Sequence, residues 1–107
     1  MANTYVNAAV DLTTTNITTL YTCAALTTSI AKSIIVSEDS GNADTITLTL
    51  TNGSGAVFSL FKTKAISSNA TLELLTAPLV LQAGDILKVT AATADRLHVV
   101  ASILEIT

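Results

Sequence analysis

The segment from Asp44 to Thr51 alternates strictly between two kinds of side chain. It reads Asp-Thr-Ile-Thr-Leu-Thr-Leu-Thr, with Thr at every odd position and a branched aliphatic residue at every even position from Ile46. Successive side chains of a β-strand point to opposite faces, so the pattern predicts a strand with one apolar and one hydroxyl face. The expected core residues are Ile46, Leu48 and Leu50, and the expected outer residues are Thr45, Thr47 and Thr49.

The same period of two recurs along the chain, and no segment keeps a helical period for ten residues. The predicted strands are residues 5–12, 20–23, 29–37, 44–51, 56–64, 70–75, 86–91 and 97–106. In the fifth strand we expect Phe58 and Leu60 on one face, with Val57 and Phe61 on the other. Residues 76–82 hold the only proline, Pro78, and are expected to be extended at a sheet edge. Seven or eight short strands predict an all-β fold, an antiparallel β-sandwich of jelly-roll-like type.

Two turn signals divide these strands most clearly. Asn52-Gly53-Ser54-Gly55 is the strongest, because Asn-Gly pairs favour tight hairpin turns. Gly84 and Asp85 precede an apolar strand, where Gly supplies a positive φ and Asp can accept hydrogen bonds from its own turn. We therefore predict that Asn52, Gly53, Gly84 and Asp85 form turns.

The composition predicts a partly covered surface. Of the 107 residues, 50% are hydrophobic and only 12% are charged, compared with about 25% charged in typical globular domains. One domain of this length is expected, with residues 1–19 as an N-terminal arm or first strand and residues 20–107 as the sandwich. We expect neighbouring subunits to cover part of this apolar surface, and the candidate interface residues are Tyr5, Val6, Val10 and Leu12. The alternatives are a compact domain coated in Thr, Ser and Asn, and a frayed terminus.

Several classes of function are disfavoured by the same composition. The net charge is −3, and the five basic residues form no run that could neutralise a phosphate backbone. The chain has two Tyr, two Phe and no Trp, too few aromatic residues for a base-stacking platform. We therefore expect no nucleic-acid partner. No signal peptide or apolar run of membrane-spanning length is apparent, and one cysteine allows no intrachain disulfide framework, so we expect assembly in a reducing cytoplasm.

Candidate chemical groups are few. His98 lies within a predicted strand with no partner acid evident, and Cys23 has no catalytic sequence context, so a surface histidine and a small buried thiol are expected. Glu38, Asp39, Asn42 and Asp44 could supply oxygen ligands to calcium, but the loop is short and these residues also form ordinary turns. We predict no enzymatic activity, no cofactor, no metal and no small-molecule substrate.

The order of these elements resembles a known group of proteins. Leu20-Tyr-Thr-Cys-Ala24 opens the domain, Ser33-Ile-Ile-Val36 and an acidic Gly/Asn loop follow, and Leu81-Gln-Ala-Gly-Asp-Ile-Leu-Lys-Val89 comes late. Over residues 17–107 the chain resembles small β-sandwich virion structural proteins of tailed bacteriophages, especially marine phages and cyanophages. Cys23 and Glu38 depart from that pattern, since such proteins often carry Pro and Asn there.

The resemblance implies a non-enzymatic virion component. We expect a capsid decoration, or cement, protein that sits on the capsid surface and contacts the major capsid protein. We also expect it to form a homo-oligomer, first a trimer at three-fold positions of the shell, with a dimer across two-fold axes as the next possibility. A tail, baseplate or fibre component is the alternative, either as a connector or as a receptor-binding tip. A carbohydrate-binding module is a third possibility, disfavoured by the scarcity of aromatic residues.

Overall fold

The computed structural model describes residues 2–107, and those residues form nine β-strands in two antiparallel sheets. Nothing helical within this range has the length and apolar character needed to cross a membrane. The strands are β1 (Asn3–Asp11), β2 (Thr18–Thr22), β3 (Thr28–Glu38), β4 (Asp44–Thr51), β5 (Val57–Ile66), β6 (Thr71–Glu73), β7 (Leu79–Leu81), β8 (Ile86–Ala91) and β9 (Leu97–Ile106).

The strand order is that of a jelly roll. The five-stranded sheet runs β1-β9-β3, with both β6 and β7 on the far side of β3, and the four-stranded sheet runs β2-β8-β4-β5. All pairings are antiparallel. Most connections carry the chain from one sheet to the other, which is how jelly rolls fold two sheets together. The predicted fold class is confirmed.

The strand count exceeds the predicted seven or eight because one strand position is divided. β6 pairs with Ile35–Ser37 and β7 pairs with Ser29–Ala31, so the two short strands share one side of β3. The stretch 76–82, predicted to be extended at a sheet edge, contains β7 in that location. Between them, Glu73 accepts a hydrogen bond from the amide of Ile34 at 2.8 Å. A side chain thus satisfies the backbone of β3 where neither strand reaches it.

The core lies between the two sheets and follows the alternation of the strands. On β4, Ile46 and Leu48 are fully buried, whereas Leu50 is only partly buried against the core. The intervening Thr side chains are half-buried on the outer face. Leu12, directly after β1, and fully buried residues from the other strands complete the core, including Ile34, Val36, Ile66, Leu81, Leu87, Val89, Leu97, Val99 and Ile103.

The expected division of β5 into two faces is wrong. Its pairing with β4 shifts register twice, on either side of Leu48. Each bulge adds a residue and reverses the alternation beyond it. As a result Phe61 packs against the core, while Val57, Phe58 and Leu60 are 62%, 52% and 36% exposed on an edge strand.

The N-terminal segment is part of the sandwich. β1 pairs with β9 along its whole length, from Asn3 opposite Ile106 to Asp11 opposite His98. β2, beginning at Thr18, belongs to the other sheet. The expected division at residues 19 and 20 therefore does not separate two structural units among the described residues. Met1, the first residue of the expected arm, lies outside them.

Candidate functional site: the outer face of the five-stranded sheet

The outer face of the five-stranded sheet carries two rows of apolar side chains. Strand register places Tyr5, Leu104, Ile30 and Val80 in one row across β1, β9, β3 and β7. A second row crosses β1, β9 and β3 at Ala9, Val100 and Ile35. Exposure is 74% at Tyr5, 58% at Val80 and 39% at both Ile35 and Val100. We call the surface formed by these seven residues the apolar face.

Polar residues separate and border the two rows. Asn7 and Ser102 are paired between them, with Lys32 close by at a shift in the register of β3 and β9. Tyr5, Asn7, Lys32 and Ser102 line a shallow open depression there. The formal charges here are Lys32 and, at the β6–β7 edge, Glu73, which pairs with Ile35 and accepts hydrogen bonds from the Ser33 hydroxyl and the Ile34 amide. Such an arrangement can bind another apolar surface and fix its register, but it offers no enclosed cavity for a small substrate.

The predicted interface residues are only partly correct in location. Tyr5 lies on the apolar face, but Val6 and Val10 are partly buried against the core, and Leu12 is 1% exposed within it. The reason is the period of two, which turns odd residues of β1 outward and even residues inward. Leu12 is not available for an interface, and that prediction is wrong.

The residues of β3 and β9 on this face were missed by the sequence interpretation. Their signal is the presence of adjacent apolar residues, Ile34-Ile35 in β3 and Val99-Val100 in β9. A strand with one solvent-exposed face alternates between apolar and polar residues. A strand that is apolar on both faces is expected to pack against a second surface. The register of β3 with β9 decides which residue of each pair faces outward.

The outer face of the four-stranded sheet is different in chemistry. Thr47 pairs with Thr90, and Thr49 pairs with Lys88, so hydroxyl groups and one ammonium group cover β4 and β8. The Thr47 hydroxyl accepts a hydrogen bond of 3.1 Å from the amide of Thr63, at the bulge of β5. The two outer surfaces of the sandwich are thus unequal, one apolar and one rich in Thr.

His98 lies between two carboxylates at one end of the apolar face. Its Nε2 is 3.2 Å from Asp11 and its Nδ1 is 3.5 Å from Asp39. Strand pairing brings Asp11 alongside, and the β3–β4 loop brings Asp39. No partner acid was evident in the sequence because Asp11 is far from His98 along the chain. The imidazole is 41% exposed, and in its protonated form both nitrogens could donate to these carboxylates.

Glu38 organises two turns with one carboxylate. Its side chain is 2% exposed and accepts hydrogen bonds from the amide and hydroxyl of Ser40, the amide of Gly41 at 3.0 Å and the amide of Asn69 at 3.0 Å. Burial opposes ionisation, but the hydrogen bonds from Ser40, Asn69 and Gly41 prevail and lower the pKa of Glu38 to about 2. The carboxylate joins the β3–β4 loop to the β5–β6 turn.

The other candidate calcium ligands either accept hydrogen bonds from backbone amides or lie at the surface. Asp44 accepts the amide of Thr45 at 2.8 Å and the amide of Thr93 at 3.1 Å. Asp39 lies beside His98, and Asn42 is exposed. Within residues 2–107, no group of three or more His, Cys, Asp or Glu side chains is arranged to hold a metal ion. The loop has the contacts of a structural turn.

A chain of side-chain contacts crosses between the sheets near the C terminus. The Tyr21 hydroxyl donates to Glu105 at 2.5 Å and lies 2.8 Å from the Ser29 hydroxyl, which is 3.3 Å from the Cys23 sulfur. Burial, followed by the hydrogen bond to Glu105, raises the pKa of Tyr21 to about 12. Cys23 is 1% exposed and Ser29 is fully buried, so neither is accessible as a nucleophile.

The predicted turn residues lie in two turns that touch. Asn52 accepts hydrogen bonds from the amides of Ser54 and Ala56, each at 3.0 Å. Gly84 has a φ of +89°, and Asp85 accepts the amide of Gln82 at 2.9 Å. Gly53 packs closely against the second turn, where a Cβ added to Gly84 would lie 3.5 Å from the Cα of Gly53.

Comparison with known proteins gives a fold but no family. No protein-family model matches the chain, and no curated protein matches it in sequence. A chain from the Bacillus endospore appendages, described as disulfide-linked pili, is similar with a TM-score of 0.59 and 11% identity, over 99% of this chain and 87% of that one. A chain of infectious bursal disease virus, Gx strain, is similar with a TM-score of 0.56 and 9% identity, over 96% of this chain and 32% of that one.

These similarities establish the architecture alone. The virus chain is about three times as long as the region matched, so the present chain corresponds to one part of it. Both neighbours share the two-sheet β fold at identities too low to carry over a site. The function of this protein therefore depends on the residues of its own surface.

Proposed function

We propose that this chain is a non-enzymatic structural protein of a bacteriophage virion, a capsid decoration protein that binds and stabilises the assembled major-capsid shell. The observation that carries the proposal is the apolar face, on a chain with few charges. Its two rows span up to four strand positions and about five residues along each strand, which is about 300 Å² at usual strand spacings. That is within the roughly 300–600 Å² of the largest exposed apolar patches on monomers, which are often functional, and less than half of the roughly 800 Å² that each partner contributes to a standard interface.

The chemistry of the remaining residues supports a structural role. The buried carboxylates of Glu38 and Asp44 accept hydrogen bonds from loop amides, and the buried Cys23 and Ser29 are closed to solvent. General acid–base or nucleophilic catalysis needs such groups to face a bound substrate. Here they hold the sandwich together instead.

The sequence resemblance and the fold support a virion component. The Leu-Tyr-Thr and Ala-Gly-Asp elements are those by which the chain resembles tailed-phage virion proteins, and they lie in β2 and in the turn before β8. The structural neighbours come from a virus and from a pilus, both repeating assemblies. The linkage named for the pilus is not carried over, since the only cysteine of this chain is buried.

Stabilisation would follow from mass action. A decoration protein binds the assembled shell but not its unfolded subunits, so each bound copy shifts the equilibrium toward the assembled state. The apolar face supplies the contact with the major capsid protein, and the low charge of its two rows limits the cost of removing water. The protein works as a homo-oligomer on the virion surface.

Two measurements test this function. Quantitative mass spectrometry of purified virions should find hundreds of copies per particle, and the purified protein should bind undecorated heads and raise their melting temperature. A few tens of copies or fewer, together with co-purification with tails, would replace this proposal with the tail, baseplate or fibre alternative. Absence from virions would overturn both.

A further inference from the structure

The four edges of the two sheets are protected to different degrees. An edge strand presents unpaired backbone N–H and C=O groups, and proteins usually block it with bulges, lysines, prolines or short length. The edges here are β1 and the β6–β7 pair in one sheet, and β2 and β5 in the other. Comparing them identifies which is open to another strand.

Three of the edges carry such protection. β5 has two shifts of register, contains Lys62 and Lys64, and bends at Thr63, which has a φ of +50°. β2 has five residues and a shift of register between Thr19 and Tyr21. β6 and β7 have three residues each, and Pro78 precedes β7.

The edge of β1 has none of these features. It has nine residues in unbroken register with β9 and contains no Pro, Gly, Lys or Arg. Its only charge is Asp11, at its end. A regular strand of this length is a template for pairing with another strand.

Hydrogen bonding fixes which backbone groups of β1 are free. Ala2 exchanges two hydrogen bonds with Thr107, at 3.0 and 2.9 Å, and the amide of Leu12 donates to Leu97 at 3.0 Å. In an antiparallel pair such bonded positions alternate, so the even residues of β1 bond to β9. The N–H and C=O groups of Asn3, Tyr5, Asn7 and Ala9 therefore point to the free edge.

We propose that β1 pairs antiparallel with β1 of a second copy of this chain, about a two-fold axis at Asn7. Asn7 then lies opposite Asn7 of the second copy, Tyr5 opposite Ala9, and Asn3 opposite Asp11. The two five-stranded sheets join into one continuous sheet. The contact is isologous, so it closes after two copies and uses up both open edges.

This register matches the chemistry of the apolar face on both sides of the axis. The row that ends at Tyr5 continues into the row that begins at Ala9 of the second copy. By symmetry, the row that ends at Ala9 continues into the row that begins at Tyr5 of the second copy. The polar row of Asn7 and Ser102 continues into itself. Asp11 meets the amide of Asn3, and no two like charges lie opposite each other. Moving the register by two residues would instead place Tyr5 opposite Asn7 or Asp11.

The pairing adds to the proposed function, because the joined faces of a dimer would double the apolar contact with a shell. Only this role of the dimer on a shell rests on the proposed function; the pairing itself does not. It replaces the trimer expected from the resemblance with a dimer. The two ideas fail separately. A dimer that does not bind undecorated heads would overturn the proposed function but support the β1 pairing. A monomer that binds heads would overturn the pairing but support the proposed function.

Cysteine cross-linking tests the pairing in the full chain. Opposed residues of a hydrogen-bonded antiparallel pair have Cα atoms about 5.5 Å apart, within the roughly 4.4–6.8 Å range of disulfides. Asn7→Cys should therefore form a covalent dimer under mild oxidation. Asn3→Cys is the matched control, exposed on the same strand, but its two copies would lie about 27 Å apart at usual strand rise. Cys23 is buried and does not compete.

The register is tested by mixing two variants. Asn3→Cys and Asp11→Cys should each remain mostly uncross-linked alone and give a mixed disulfide dimer when combined. Sedimentation of the unmodified protein should give twice the 11.0 kDa chain mass. A monomer, a trimer, an open polymer, or equal cross-linking of Asn7→Cys and Asn3→Cys would each overturn the pairing. Failure of the mixed pair to cross-link would overturn the register.

Discussion

Glu38 accepts a hydrogen bond from the amide of Asn69 at 3.0 Å, joining the end of β3 to the turn that precedes β6. Asn69 itself has a φ of +57°, so this turn adopts a backbone conformation that most residues avoid. One buried carboxylate therefore holds two loops together, although Glu38 and Asn69 are 31 residues apart in the sequence. Its ionisation state should be visible in the stability of the whole domain.

Acid should destabilise the protein through Glu38. The pKa of Glu38 is about 2 in the folded protein and 4.5 ordinarily, so the unfolded chain binds more protons between these values. The stabilisation is present above about pH 4.5 and is lost as the pH falls toward 2. Glu73 acts in the same direction, because its pKa is lowered, against burial, by hydrogen bonds from Ser33 and Ile34. Thermal melts of Glu38→Gln should fall less steeply over this range, and parallel curves for both proteins would contradict the assignment.

Removing calcium should leave the melting temperature unchanged. The Glu38 and Asp44 carboxylates already accept hydrogen bonds from loop amides, so a cation would have to displace them. Melts with and without EDTA check this. A fall of many degrees on chelation would revive the calcium hypothesis for residues 38–44.

Substitutions on the two faces of β4 should have unequal costs. Leu48→Ala, at a fully buried position, should lower the free energy of unfolding by about 2–5 kcal/mol. Thr49→Ala, next to it on the outer face, should change it by no more than about 0.5 kcal/mol. Thr47→Ala should cost more than Thr49→Ala, about 0.5–1.5 kcal/mol, since Thr47 accepts the amide of Thr63. Urea unfolding measures all three, and equal costs at 48 and 49 would reject the assignment of faces.

Tyr21→Phe should destabilise the protein by about 1–3 kcal/mol, because it leaves the buried Ser29 hydroxyl and Glu105 without their shared partner. Tyr5→Phe, at an exposed position, is the control and should change stability by no more than about 0.5 kcal/mol. The pKa of Tyr21 is raised from 10.0 to about 12, so its contribution is present below pH 10 and is lost between 10 and 12. The decline in stability over that range should be smaller in Tyr21→Phe than in Tyr5→Phe.

A charge on the apolar face should weaken shell binding while leaving the fold intact. Val100→Lys lies in the middle of the second row of the face, and its side chain can reach water in the free protein. Thr90→Lys occupies a comparable outward position on β8 and is the matched control. Binding to undecorated heads, measured by co-sedimentation, should fall at least tenfold for Val100→Lys only. Equal loss in both variants would move the contact away from the apolar face.

The alternation of apolar and polar residues was sufficient to predict the bounds of several strands. The predicted bounds of β4, β8 and β9 agree with the structure, because each depends on alternation within one segment. The face assignment failed at β5, where bulges opposite β4 reverse the alternation, and at Leu12, which continues the inward series of β1 into the core. Contacts such as Tyr21 with Glu105 or His98 with Asp11 join residues far apart in the chain, and no spacing within the sequence predicts them.

The antiparallel all-β fold can be predicted from the chain alone, since a period of two and turn residues between strands are local properties. Which apolar residues remain outside, and which edge strand remains open, cannot be predicted in this way. Both depend on the pairing of β1, β9 and β3 across long separations. That register places Tyr5, Val100 and Ile35 on one outer surface and leaves the free edge of β1 beside it.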